Sequence, residues 1–83
     1  MEQQIIAIIS EIKDDAELAL SLNEHSNIME DGGLDSLQMI TFILKVEEQF
    51  GIEIDFEQFD FTLVESVTTF CRYISDLKTI SSV

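Results

Sequence analysis

The sequence predicts an all-α fold, a small four-helix bundle, and three observations support it. Proline is absent and only three glycines occur, so little interrupts helical stretches. Apolar residues recur at three- and four-residue spacing in three separate stretches. The β-branched run Ile5–Ile9 could read as a strand, but no second alternating stretch exists to pair with it. With 83 residues and 46% apolar content, the chain forms one domain over 1–83 with a single modest core.

In chain order, Ile5, Ile8, Ile9 and Ile12 share one helix face, widened by Ile6, and predict a helix over 2–13. Asp14-Asp15 interrupts it and can cap a short helical turn through Glu17-Leu18-Ala19-Leu20. Ser21 to Gly33 is a polar loop with Leu22 and Ile28 as anchors. A loop this long in a compact domain is usually functional or packed by its own side chains. It leads into Gly32-Gly33-Leu34-Asp35-Ser36-Leu37, around which the chain is organised.

The next helix is predicted over 36–50, with Asp35 as N-cap, Gln38 completing a capping box and Gly51 as the stop. Ser36 then lies in the first turn, where backbone N–H groups lack partners and the dipole is positive. A hydroxyl there is at the surface beside a position that favours phosphate, which marks a modification site. Met39, Phe42, Ile43, Val46 and Phe50 fall within an arc of about 100° that should face the core. Leu37, Ile40 and Leu44 form a roughly opposite stripe, flanked by Thr41 and Glu48. So small a domain cannot bury both sides of one helix, so one stripe is left for something outside the chain.

Ile52 and Ile54 read as an extended link, and a short helix is predicted at about 56–60 with Phe56 and Phe59 three apart. Ser66 caps the last predicted helix, 66–77, whose inner face is Val67, Phe70, Cys71 and Ile74. Residues 79–83 are expected to fray.

Charge and chemistry narrow the function. Seventeen acids against four lysines and arginines leave a net charge of −13, which repels nucleic acid and anionic membrane surfaces and steers toward basic protein patches. The same charge favours a monomer. A single cysteine rules out an internal disulfide, and Cys71 on an apolar face reads as a packed hydrophobe. The start Met1-Glu2-Gln3-Gln4 lacks the basic region of a signal peptide, and Ile5–Ile9 is too short to span a membrane, so a cytoplasmic protein is expected. Acidic pairs such as Asp14-Asp15, Glu30-Asp31 and Glu47-Glu48 lack calcium-loop spacing, and no metal site is expected. His25 lies in a polar loop, and nothing supplies a base for Ser36, so no catalytic residue and no enzyme is expected.

Gly33-Leu34-Asp35-Ser36-Leu37 resembles the G-x-D-S-L attachment motif of the acyl and peptidyl carrier proteins. Phe50-Gly51-Ile52-Glu53-Ile54 is similar to the segment ending their second helix, and Ser66-Val67 to the start of their last. With matched spacing from Ile5 to Ile74, the chain resembles a free-standing, single-domain member of that family. The resemblance implies 4′-phosphopantetheine on Ser36, flanked by Asp35 and Leu37. A separate transferase would move the group from coenzyme A, a loading enzyme would charge its thiol with an acyl or aminoacyl group, and downstream synthase enzymes would use the thioester. It also implies that partners read the second helix, with Leu37, Ile40, Thr41 and Leu44 as the surface and Asp35, Glu47 and Glu48 as charged rim.

The chain departs from fatty-acid carriers at several positions. Gln38 and Thr41 stand where those have acids, Lys45 adds a positive charge, Asp55 replaces a common proline, and Gly32 replaces an apolar residue, which is expected to loosen the loop. These differences favour polyketide or non-ribosomal peptide biosynthesis over a fatty-acid or cell-envelope role, with an unmodified acidic interaction domain as the remaining alternative.

Overall fold

Four helices and one 3₁₀ turn account for the regular structure in the computed structural model, which describes residues 1–55, 57 and 59–81. They are α1 (Glu2–Lys13), α2 (Leu18–Ser21), α3 (Ser36–Phe50), the 3₁₀ turn Phe61–Val64, and α4 (Val67–Ser81). Among the described residues there is no strand, and the architecture is the expected small helical bundle.

Helix α1 buries Ile5, Ile6, Ile8 and Ile9 against the other elements. It ends where Asp14 takes a left-handed conformation (φ 52°), with the Asp15 amide donating to the Ser10 carbonyl at 3.1 Å. Aspartate tolerates this region better than most residues do. The Asp15 carboxylate then accepts the Glu17 amide at 3.0 Å, which starts the single turn of α2.

Helix α3 has the predicted limits. Met39, Phe42, Ile43 and Val46 are buried, and Phe50 packs partly exposed against the same core. Gly51 closes the helix at φ 65°, its amide donating to the Glu47 carbonyl at 2.9 Å. The rings of Phe42 and Phe70 meet at 5.2 Å between centroids at the centre of the bundle, and burial of each such side chain stabilises the fold by about 1.5–3 kcal/mol.

The short helix expected at 56–60 is displaced. The helical turn is Phe61–Val64, Phe59 and Asp60 are non-helical, and Phe56 and Gln58 lie outside the described residues. Asp60 decides the start, because its carboxylate accepts the Thr62 amide at 2.9 Å. The turn that follows buries Val64, while Phe59 packs edge-on against Phe70 and Tyr73.

Helix α4 begins as expected, with Ser66 Oγ accepting the Thr69 amide at 3.0 Å. It runs to Ser81, beyond the predicted end at 77, because neither glycine nor proline follows Leu77. The long loop is joined to the start of this helix. The Ile28 amide donates to the Val64 carbonyl at 2.9 Å, the Val67 amide to Ser26, and both the Thr68 amide and hydroxyl to Glu24.

Candidate functional site

The segment before Ser36 is held from several sides. The Asn27 amide donates to the Asp31 carboxylate at 2.7 Å, and the Asn27 side-chain carbonyl accepts the Glu30 amide at 2.8 Å. These reciprocal bonds fold 27–32 into a closed turn. Leu34 is buried, with its amide on the Met29 carbonyl at 3.0 Å. Gly32 does not loosen the loop as expected from sequence. A Cβ there would lie 2.4 Å from the Ile28 carbonyl oxygen and 3.0 Å from Ile9 Cγ2, so the glycine allows the loop to press against α1. Gly33 follows at φ 69°.

Asp35 and Gln38 form the predicted capping box. Asp35 Oδ1 accepts the Gln38 amide at 2.8 Å, and Gln38 Oε1 accepts the Asp35 amide at 3.2 Å. Ser36 is the first helical residue and is exposed. Among the described residues no acceptor meets the Ser36 or Leu37 amide, so two donors stay open beside the hydroxyl at the positive end of a 15-residue helix.

The outer stripe of α3 lies open: Leu37 is 73% exposed, Ile40 42% and Leu44 58%, with Thr41 and Glu48 exposed beside them. Two charged residues of this helix are used internally. Glu47 is half-buried and its carboxylate accepts the Ile54 amide at 2.7 Å, which anchors the link after α3. Lys45 Nζ lies 3.3 Å from Glu11 on α1.

Sequence reasoning missed Lys13. It sits in the last turn of α1, yet its Nζ donates to the Gly33 carbonyl at 2.9 Å and approaches Gln38 Oε1 at 3.4 Å. A separation of 20 and 25 residues leaves no local signal for such a contact. Near the same loop, an open cleft of about 810 Å³ has Met29, Leu34, Phe59 and Val64 among its apolar lining and Glu30, Asp60 and Glu65 among its acids.

Other reactive groups are remote or quiet. His25 is exposed, with Nε2 3.4 Å from Glu24. Burial pushes the Cys71 thiol up to about 11, with the Glu2 charge adding to the effect, so little thiolate forms at neutral pH. Among the described residues no group of three or more His, Cys, Asp or Glu could hold a metal ion. No described helix is long and apolar enough to cross a membrane.

The family model for a phosphopantetheine attachment site matches residues 3–74. The chain belongs to this family. A comparison with curated proteins finds no match. The match runs from the first turn of α1 to the buried Ile74 of α4, so it covers the described bundle core and the loop before α3. The protein is therefore a carrier, and its cofactor is covalently attached 4′-phosphopantetheine. The N-terminus of α3 fits that group, offering an exposed hydroxyl with uncommitted amides for an anion.

Proposed function

We propose that Ser36 is the attachment residue, and that the carrier presents acyl or aminoacyl thioesters to enzymes of polyketide or non-ribosomal peptide biosynthesis. The observation that carries the assignment is the free hydroxyl of Ser36 beside two open amides at the start of α3. Four other described serines lack that combination. Ser26 is buried, Ser66 caps α4 through the Thr69 amide, and Ser10 and Ser21 donate to nearby carbonyls.

In the modification, the Ser36 oxygen bonds to the phosphorus of the pantetheine phosphate and the phosphoanhydride of coenzyme A breaks. Adenosine bisphosphate leaves, and the hydroxyl proton passes to a base of the transferase. When bound, the group supplies a thiol on a flexible tether, which raises the effective concentration of its cargo at each docked enzyme. The chain's own residues hold the hydroxyl outward, favour the phosphate through the helix end, and offer a surface for docking. Leu37, Ile40, Thr41, Leu44 and Glu48 form that surface. Glu47 contributes through its charge alone, because its carboxylate also holds the Ile54 amide. Acids meeting basic patches make such docking fast and weak. The specialised pathway is supported by Gln38 and Thr41, neutral where fatty-acid carriers have acids.

Purified protein incubated with coenzyme A and a broad-specificity phosphopantetheinyl transferase should gain one pantetheinyl group by intact mass. Ser36→Ala should gain none. Modification persisting in that variant would overturn the assignment, and loading assays with amino acids against acyl thioesters would place the pathway.

A further inference from the structure

We propose that Lys13 is a positioning residue for the Ser36 hydroxyl, an inference that rests on the reading of Ser36 above. Its ammonium is held on both sides of the serine in sequence, by the carbonyl of Gly33 three residues before and by Gln38 Oε1 two residues after. Gln38 Oε1 is also the acceptor for the Asp35 amide, and the Gln38 amide completes the box on Asp35 Oδ1. Lys13 thus ties α1 to the hydrogen-bonded ring that sets where the first turn of α3 begins. A rotation of that ring would carry the serine with it.

The placement is electrostatically two-sided. At the last turn of α1 a cation is favoured by the helix dipole, whereas beside the first turn of α3 it is opposed. The bond to the Gly33 carbonyl offsets the second effect in the unmodified protein. A phosphodiester on Ser36 would turn it into an attraction. Lysine has three donors, and two are used here, so one N–H remains for an anion. The other two lysines do not share this role: Lys45 pairs with Glu11, and Lys78 lies over the Phe50 ring, 5.7 Å from its centroid, at the far end of α3.

The test compares Lys13→Met, Lys13→Arg and Lys78→Met as purified full-length chains. Melting curves first establish that each is folded. Amide exchange at Asp35 and Gln38 and the kcat/KM of pantetheinyl transfer are then measured. Lys13→Met should speed exchange at Asp35 and lower kcat/KM about tenfold, the rate equivalent of one hydrogen bond to a charged group. Lys13→Arg should restore most of both, and Lys78→Met, with the same change in net charge, should alter neither. Wild-type transfer rates in Lys13→Met would overturn the proposal, as would an equal loss in Lys78→Met. Failure of the wild-type chain to accept the group would instead overturn the reading of Ser36, a separate outcome.

Discussion

The two faces of α3 have similar composition and opposite fates. Met39, Phe42 and Val46 are sealed in the core, while Leu37, Ile40 and Leu44, on the other side of the same helix, stay in water. Exposed apolar side chains on the outer face contribute little to folding, so their cost in solubility calls for another explanation. That face begins one residue after the serine, beside the proposed attachment residue. The difference teaches that apolar character in this helix has two fates, burial that stabilises the fold inward and exposure outward, where the proposed function gives it a docking role.

Substitutions should separate the two. The largest effect is expected inside: Phe42→Ala should destabilise the protein by about 3–5 kcal/mol in urea or thermal melts. A loss below about 1 kcal/mol would mean that the inner face is not the core. Gly32→Val should follow, at about 1–3 kcal/mol, because the new side chain must displace the Ile28 carbonyl and Ile9. Asp35→Ala removes the cap on the Gln38 amide and should cost about 1 kcal/mol, read by the same melts.

On the outer face, Leu44→Asp should change stability by no more than about 0.5 kcal/mol. It should nevertheless raise the KM of the transferase, measured by initial rates of modification. A destabilisation like that of Phe42→Ala would merge the two faces into one structural role.

The smallest effect concerns pH. The folded protein holds the Cys71 thiol at about 11 against an ordinary 9.0, so between these values the unfolded chain releases its proton first. The folded state then binds more protons, and stability should fall as pH rises across that window and level off above it. Burial also raises Tyr73, in the same direction. Chemical denaturation at pH 8.5, 9.5 and 10.5, intervals chosen as roughly one unit across the window, should show a shallower decline in Cys71→Ala. An equal decline would leave Cys71 without a part in it.

Much of the site was legible because its signals are local. Asp35, Gln38 and Gly51 lie within a few residues of the backbone groups they bond, Ser36 is placed by that cap, and helical periodicity separates Phe42 from Leu44 without any knowledge of neighbours. The short helix was misplaced because Phe56 and Phe59 carry a spacing, whereas the turn is set by the Asp60 cap and by where Val64 meets the core. Gly32 was misread for a related reason: its role is defined by atoms of Ile9 and Ile28.

From the sequence alone came the all-helical bundle, the limits of α1 and α3, the capping box and the exposed serine between an inner and an outer stripe. Each depends on periodicity or on contacts within one helical turn. The tertiary structure alone decided that Lys13 reaches Gly33 and Gln38, that Glu47 turns inward to Ile54, and that Gly32 must lack a side chain. Those outcomes depend on which distant atoms are brought within bonding distance when the helices pack, and spacing along the chain carries no record of that.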